Sequence, residues 1–191
     1  MSTKRILNVR FSPTWMNLLD FLPSRMYDEI MSVDAELLRA AMRQWATGVT
    51  IVSVAYKGIR HGMTVSSFTS LSLEPPLVMV SLEDITRTRD MMLQAGHFGV
   101  TILSQEQEEI SALFAERRTE YQDRFAGLQT YTLKSESPLL AGGLVGFDCR
   151  IAAIYPAGNH TMFVGDLLAV HIVSSRLPLI YYDRNYRSLV L

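Results

Sequence analysis

Cysteine is almost missing from this chain of 191 residues, because Cys149 is its single example. One thiol excludes a disulfide within the chain and a metal site built from several cysteines. Such cysteine usage is typical of the reducing cytoplasm, where we expect this protein to reside. An excess of one charge is also missing, since 18 basic and 19 acidic side chains leave a formal net charge of −1. We therefore expect neither a nucleic-acid partner nor a membrane surface as a partner.

Long apolar runs are missing as well. No stretch approaches the roughly 18–20 unbroken apolar residues of a membrane-spanning helix, although 48% hydrophobic residues suffice for one sizeable core. Near the N-terminus the apolar pieces are interrupted by Asn17, Asp20 and Pro23, and no small-residue cleavage site follows, unlike a signal peptide. We predict a loosely ordered N-terminal extension over residues 1–30 and one folded domain over residues 31–191.

The motifs that would assign a common chemistry directly are also missing. The sequence has no dinucleotide-binding glycine fingerprint, no Walker-type phosphate loop and no Gly-x-Ser-x-Gly elbow. Acyl transfer by Ser66 or Ser67 is therefore weakly supported. The histidines at positions 61, 97, 160 and 171 share no spacing typical of a metal site, so we expect no metal. We interpret Cys149 as a buried structural thiol.

The most informative stretch that is present runs from Gly62 to Leu82 and reads GMTVSSFTSLSLEPPLVMVSL. Small hydroxyl side chains let a backbone approach a ligand closely and offer donors and acceptors, whereas in a core each one needs a partner. The apolar run after Pro75 and Pro76 predicts a buried strand. Two interpretations stay open: a polar ligand edge on a β scaffold, or a Ser/Thr-rich strand pair with ordinary turn chemistry.

Hydrophobic periodicity predicts three helices and six or seven strands. The helices are an apolar stripe from Leu37 to Trp45 capped by Ser32 or Asp34, a second from Arg89 to Ala95 closed by Gly96, and a third from the Ser104 and Gln107 capping box to about Glu116. Several strands follow one another with no helix of βαβ length between them. The sequence therefore predicts a mainly β fold, an antiparallel barrel with peripheral helices.

Three further features are candidates for a binding site. Thr86-Arg87-Thr88 lies at a predicted helix start, where backbone N–H groups, the helix dipole, two hydroxyls and a guanidinium suit a phosphate; the alternative is a capped helix with a surface arginine. His160, in the turn Gly158-Asn159-His160, is either a ligand contact or a solvated turn histidine. The tyrosines near the C-terminus either line a pocket or close the barrel.

These pieces, in this order, resemble the short-chain flavin reductase family, the reductase components of two-component flavin monooxygenases. The motifs are ATGVTIV from Ala46, GMTVSSFTSLSLEPPLV from Gly62, RFAG from Arg124, GNH from Gly158, MFVGDL from Met162 and PLIYYDRNYRSL from Pro178. The resemblance covers about residues 34–189. It implies an FMN-binding split β-barrel, a homodimer, NADH- or NADPH-dependent reduction of FMN or FAD, and a transient monooxygenase partner.

The resemblance also implies a cofactor site. The residues that would contact the flavin ring and its ribityl chain are Arg60, His61, Gly62, Met63, Thr64, Ser66, Ser67, Ser81, Leu82 and Glu83. Arg87 and Thr88 would hold the flavin phosphate, and Phe114 would pack near the flavin. His160 would touch the nicotinamide as the catalytic residue. Tyr182 or Tyr186 would close that side.

Two other functions remain open from the sequence. Split barrels also serve as flavin-binding proteins without reductase activity, and only His160 and the C-terminal tyrosines separate the two cases. A related enzyme of the pyridoxamine-phosphate-oxidase kind would act on an organic substrate with tightly held FMN. The basic cluster for the substrate phosphate of such an oxidase is not evident in this sequence.

Overall fold

The computed structural model describes residues 33–116, 123–173 and 176–189, so the predicted extension over residues 1–30 lies outside the described residues. The chain divides into two compact units, Met1–Met42 and Arg43–Leu191. The first contributes helix α1 (Ala35–Met42). As predicted, Asp34 caps this helix, because its Oδ1 accepts a hydrogen bond from the backbone N–H of Leu37 at 2.7 Å. The helix ends before the predicted Trp45.

The second unit is mainly β. Its described strands are β1 (Thr47–Gly48), β2 (Thr50–Tyr56), β3 (Ile59–Val65), β4 (Thr69–Leu73), β5 (Pro76–Glu83), β6 (His97–Ile102), β7 (Thr130–Tyr131), β8 (Leu139–Leu140), β9 (Val145–Ala157), β10 (His160–Ile172), β11 (Ile180–Tyr182) and β12 (Asn185–Arg187). Its helices are α2 (Arg87–Ala95) and α3 (Glu108–Ala115). None of the helices in the described ranges is long and apolar enough to cross a membrane.

One large antiparallel sheet carries the fold. Its strand order is β3-β2-β6-β9-β10-β5-β4, with smaller sheets β1-β11-β12 and β7-β8 beside it. The pairs β2–β3, β4–β5 and β9–β10 join strands that follow each other directly in the chain. This arrangement confirms the prediction of a mainly β fold with peripheral helices. It contrasts with a doubly wound sheet, in which helices separate parallel strands.

The sheet curls toward a barrel but keeps a gap in its ladder. Its two edges are β3 and β4, and Ser67 lies between them in the chain. The Ser67 hydroxyl donates to the carbonyl of Ser81 and accepts from the N–H of the same residue, both at 2.9 Å. Val65 of β3 and Val80 of β5 also share one buried cluster. The segment after the edge strand β3 thus bonds to β5, near the other edge of the sheet, as expected of a split barrel.

Strand β2 is buried on both faces because it separates two hydrophobic clusters. Val52 and Val54 belong to the cluster inside the curled sheet, together with Cys149. Ile51 packs instead with Phe114 and other side chains of the second cluster. Alternate side chains of a strand point to opposite faces, so an unbroken apolar run is what such a strand needs. Burial raises the pKa of the Cys149 thiol well above its usual range, which agrees with a structural role.

The turn between β9 and β10 is shorter than predicted. The sequence predicts a loop over residues 156–160, but only Gly158 and Asn159 form the turn, and Pro156 lies within β9 opposite Thr161. Proline is tolerated there because β6 stops pairing with β9 at Arg150. Pro156 therefore lies in a part of the strand with one neighbour, where a missing N–H does not interrupt a second ladder.

Candidate functional site

A cleft of about 700 Å³ opens where β3 and β5 end and α2 begins. Its lining residues are His61, Met63, Thr64, Val65, Ser66, Ser67, Ser81, Leu82, Glu83, Ile85, Thr86, Arg87, Thr88, Phe114, Ala115, Glu116, Arg124 and His160. Small-molecule and cofactor sites typically occupy about 300–1,000 Å³. The cleft joins the hydroxyl-rich stretch to the helix start that the sequence singles out separately. This favours the ligand edge over an ordinary pair of strands.

The hydroxyls of this edge divide into two groups. Thr64 Oγ1 donates to the carbonyl of Ser111 on α3 at 2.6 Å, and Ser67 bonds to Ser81 on β5. These two hydroxyls hold the wall of the cleft together. Ser66 is exposed at the cleft, whereas Thr69 on β4 is exposed outside its lining. The Gly62–Leu82 stretch therefore reaches the cleft at its two ends, whereas β4 in its middle does not line the cleft.

Helix α2 starts at the cleft, as the sequence predicts. Thr86 is its N-cap residue, with an extended backbone, but its side chain makes no capping hydrogen bond. Thr86 Oγ1 instead donates to the carbonyl of Glu83 at 2.8 Å. Thr86, Arg87 and Thr88, where the helix starts, all line the cleft. A helix start with its positive dipole end and an adjacent guanidinium suits a phosphate group.

His61 links β3 to this helix start. Its Nδ1 lies 2.8 Å from Oγ1 of Thr88, a buried side chain. Burial, followed by the positive charges of Arg124 and Arg87, lowers the pKa of His61 from 6.5 to about 4. The imidazole is therefore neutral near pH 7. At that pH the positive charge around His61 comes from the two guanidinium groups.

Arg124 connects the β3 wall of the cleft to the α3 wall through hydrogen bonds. Its Nη1 donates to the carbonyl of Gly62 on β3 at 3.1 Å and to the carbonyl of Phe114 on α3 at 3.0 Å. Its Nη2 donates to the carbonyl of Glu116, just beyond the helix. A cation that binds the last carbonyls of a helix satisfies acceptors without a partner inside the helix and complements the dipole.

Gly62 is required where Arg124 and the neighbouring Phe125 approach β3. A Cβ added at Gly62 would lie 3.0 Å from the carbonyl oxygen of Val52, 3.1 Å from the Phe125 ring and 3.2 Å from the Phe114 ring. The two rings pack edge to face with centroids 4.8 Å apart. The RFAG motif and the glycine before Met63 thus belong to one packed unit behind the cleft.

His160 lines the cleft at the start of β10. It is the first residue of β10 and pairs with Glu83 at the end of β5. Its Nδ1 lies 2.9 Å from Oδ1 of Asn159, and its side chain is half-buried at the cleft. The ligand-contact interpretation is therefore favoured over a fully solvated turn. Among the residues that the structure describes, no group of His, Cys, Asp or Glu has the arrangement of a metal site.

Four residues of the expected cofactor site do not line the cleft. Arg60 forms an ion pair with Asp123 and lies over the Phe125 ring, and the Gly62 backbone is covered by the aromatic rings described above. Tyr182 reaches Gln44 at 3.4 Å, while Tyr186 packs against the second hydrophobic cluster. The hairpin that carries both tyrosines pairs with β1, and neither tyrosine lines the cleft.

Sequence reasoning missed several residues that do line it. They are Val65, Ile85, Ala115, Glu116 and Arg124. Val65 lies between Thr64 and Ser66, which are both predicted site residues, so its place in the sequence could have added it to the predicted site. Ile85 is an apolar loop residue with 83% of its surface exposed, for which the sequence carries no signal. Arg124 lies 62 positions from its partner Gly62, so only the fold reveals their contact.

Comparison with known proteins places this geometry in a family. The flavin reductase like domain model matches residues 42–190. The NADH-dependent flavin reductase of a Rhodococcus species is 38% identical over 157 residues, which cover 81% of this chain and 86% of that protein. The reductase component of 4-hydroxyphenylacetate 3-monooxygenase from Thermus thermophilus is 34% identical over 155 residues, covering 81% of this chain and 97% of that protein.

A solved structure supports the same family assignment. The NADH:FAD oxidoreductase of Streptomyces globisporus, in complex with NAD and FAD fragments, superposes with a TM-score of 0.77 at 29% identity. The match covers 82% of this chain and 93% of that one. The motif resemblance, the split sheet and these comparisons agree, and the chain belongs to the flavin reductase-like domain family.

Proposed function

We propose that this protein is an NAD(P)H:flavin oxidoreductase, which reduces FMN or FAD by hydride transfer and supplies the reduced flavin to a partner monooxygenase. The observation that carries the proposal is the meeting, in one cleft, of the hydroxyl edge of β3, the start of α2 with Arg87 and Thr88, and His160. The NADH-dependent reductase and the monooxygenase reductase component named above support the same reaction.

The residues of the cleft fit a phosphorylated flavin. One end offers a helix start, a guanidinium and the Thr88 hydroxyl, which suit the phosphate. Apolar side chains, Met63, Leu82 and Phe114, suit a planar ring, while Ser66 and Ser81 suit the polar groups of the ring edge and ribityl chain. Such a mixture of apolar lining and a few polar groups is typical of cofactor sites.

The protein contributes position rather than acid–base chemistry in this account. The flavin, when bound, supplies the hydride-accepting chemistry and the nicotinamide supplies the hydride. The chain's part is to hold both molecules and to fix their orientation, which accelerates a reaction between two bound groups. Arg124 holds Gly62 and Phe114 in place by donating hydrogen bonds to their carbonyls, and so supports the wall proposed to face the flavin ring. The proposed donors to an electron-rich ring edge are backbone N–H groups of residues 63–67, which line the cleft.

His160 is the catalytic residue of this proposal. It lines the cleft beside Glu83, its pairing partner at the end of β5. Because Asn159 Oδ1 bonds to Nδ1 of His160, the orientation of the ring is fixed. The nicotinamide is its proposed contact. Tyr182 and Tyr186 remain predictions for the nicotinamide side, although neither lines the cleft.

We further propose a homodimer that works in the cytoplasm, with its reductase domain over residues 31–191. Exposed apolar side chains support an assembly, since Leu73 on the edge strand β4 is 85% exposed and Ile172 at the end of β10 is 76% exposed. Sedimentation or light scattering measures the assembly directly. A monomer at micromolar concentration would contradict the dimer and leave the proposed reaction standing.

The experiment that tests the reaction is a steady-state assay with purified protein and the four pairs of FMN or FAD with NADH or NADPH. We expect oxidation of the reduced nicotinamide with at least one pair. Turnover with no pair would contradict the proposal. Flavin binding without turnover would indicate the flavin-binding alternative. Tight stoichiometric FMN in the purified protein, with turnover of an organic substrate, would indicate the oxidase.

A further inference from the structure

The contact between His61 and Thr88 determines what the Thr88 hydroxyl can offer to a ligand. Nδ1 of His61 lies 2.8 Å from Thr88 Oγ1. A threonine hydroxyl has one proton to donate. If that proton goes to Nδ1, none is left for an anion in the cleft. If Nδ1 carries a proton and donates it, the Thr88 hydroxyl donates to the ligand instead. The protonation of His61 and the binding of an anion are therefore linked by geometry.

The charges around His61 strengthen this link. Its own strand contributes Arg60, which is paired with Asp123. The other charged or titratable side chains of the cleft are Arg87 on α2, Arg124 beyond α3, Glu116 after α3, Glu83 on β5 and His160 on β10. Arg124 and Arg87 are the charges that oppose protonation of His61, after burial. An anion bound beside them offsets their field and favours the charged imidazole.

We propose that His61 takes up a proton from solvent when a phosphate group binds at the start of α2, so that phosphate binding and imidazole protonation reinforce each other. The inference rests on the proposed function, because the phosphate is that of the bound flavin. No covalent bond changes. The protonated imidazole donates Nδ1–H to Thr88 Oγ1, and the Thr88 hydroxyl then donates to a phosphate oxygen.

The coupling between phosphate binding and His61 protonation predicts how flavin affinity changes with pH. His61 is neutral in the free protein at any pH well above about 4. If the bound state holds the proton more tightly, affinity for the phosphorylated flavin rises as the pH falls below neutrality. The gain is at most about tenfold per pH unit for one linked proton. The phosphate has its own second pKa near 6 and loses charge over the same range. That effect is common to every variant, so a comparison between variants removes it.

The test compares wild type with His61→Gln, since glutamine keeps an N–H donor for Thr88 and does not titrate. His97→Gln is the matched control, because His97 Nδ1 lies 2.8 Å from Ser137 Oγ outside the cleft lining. Calorimetric titration with FMN near pH 5.5, in two buffers of different ionisation enthalpy, gives the number of protons taken up. Titration with riboflavin, which lacks the phosphate, provides the second comparison.

We expect wild type and His97→Gln to take up more protons with FMN than His61→Gln, by a sizeable fraction of one proton. Between pH 7.5 and 5.5, the ratio of the His61→Gln Kd to the wild-type Kd for FMN should rise by about 3–10-fold. With riboflavin, wild type and His61→Gln should take up equal numbers of protons, and the ratio of their Kd values should not change with pH. Equal proton uptake in wild type and His61→Gln, with FMN still bound, would overturn this inference alone. Absence of FMN binding to wild type would overturn this inference, and absence of turnover with all four flavin and nicotinamide pairs would overturn the proposed function with it.

A measurement on the unmodified protein keeps the test decisive if His61→Gln does not fold. The ring nitrogen shifts of His61 in nuclear magnetic resonance spectra distinguish neutral from protonated imidazole. We expect FMN at pH 5.5 to move them toward the protonated form and riboflavin to leave them unchanged. A neutral ring in the FMN complex at that pH would overturn the inference.

Discussion

The hydroxyl of Tyr186 lies 2.8 Å from Oγ of Ser111 on helix α3. The carbonyl of the same serine accepts the hydrogen bond of Thr64 Oγ1 at the cleft. Tyr186 therefore reaches the cleft wall through another residue, and its ring packs with the second hydrophobic cluster. The C-terminal hairpin stabilises the wall from behind.

Tyr186→Phe tests this relationship. We expect the free energy of unfolding to fall by about 1 kcal/mol, because one partly buried hydrogen bond is lost. Urea denaturation measures this. Ser111→Ala should cost a similar amount, and the double variant should cost less than the sum, since both changes remove the same bond. Unchanged stability together with a raised KM for the reduced nicotinamide would show instead that Tyr186 contacts the nicotinamide.

Arg124→Met should weaken both the fold and the site. It removes a cation that donates to three carbonyls and joins β3 to α3. We expect a loss of about 2–3 kcal/mol in the free energy of unfolding, since hydrogen bonds from charged groups are the stronger ones. Among the kinetic constants, the flavin KM should rise more than kcat falls.

Arg60→Met is the matched control for Arg124→Met. Arg60 forms a partly exposed ion pair with Asp123, and such pairs contribute about 0–1 kcal/mol. If Arg60→Met lowered the free energy of unfolding as much as Arg124→Met, this would contradict the stabilising role given to the carbonyl contacts of Arg124.

The stability of the ligand-free protein should depend on pH through His61. The pKa of this imidazole is about 4 in the folded protein and 6.5 as the ordinary value. Between these values the unfolded chain binds more protons, so the free energy of unfolding falls as the pH falls from 6.5 to 4. The contribution of His61 to the free energy of unfolding is fully present above pH 6.5. His61→Gln should flatten this part of the curve in thermal denaturation, and an unchanged slope would contradict the assignment.

His160→Ala should separate hydride transfer from flavin binding. His160 lines the cleft as the first residue of β10, whereas the proposed phosphate contacts belong to α2. We expect turnover with NADH or NADPH to fall by about 10–100-fold if one positioning contact is lost, while the FMN Kd changes by less than threefold. Fluorescence titration and steady-state kinetics measure the two effects. Equal loss of both would indicate that His160 supports the structure of the cleft.

Much of the local structure follows from short-range signals in the sequence. The Gln107 side chain accepts a hydrogen bond from the backbone N–H of Ser104 at 3.1 Å, as in the predicted capping box, although this contact opens a short 3-10 turn before α3. Gly96 ends α2 in the left-handed conformation, with φ of 73°. By contrast, the turn at Asp183 and Arg184 has positive φ at both residues without a glycine. That turn carried no hairpin signal, and β12 was missed for this reason.

The candidate site was predictable where its residues are close in sequence. The end of β3, the end of β5 and the start of α2 occur within one continuous stretch, and the turn chemistry indicates how they meet. Arg124 was not predictable, because its role depends on carbonyls of β3 and α3 that only the fold brings together. The placement of Tyr186 likewise depends on a contact that spans 75 positions.

The most direct test of the central claim is a binding titration of FMN and riboflavin against wild type and Arg87→Met, with Arg60→Met as the control outside the cleft lining. If the start of α2 holds the flavin phosphate, Arg87→Met weakens FMN binding by about 10–100-fold and leaves riboflavin binding nearly unchanged. Equal weakening of both ligands, or FMN binding that does not depend on Arg87, would contradict the account.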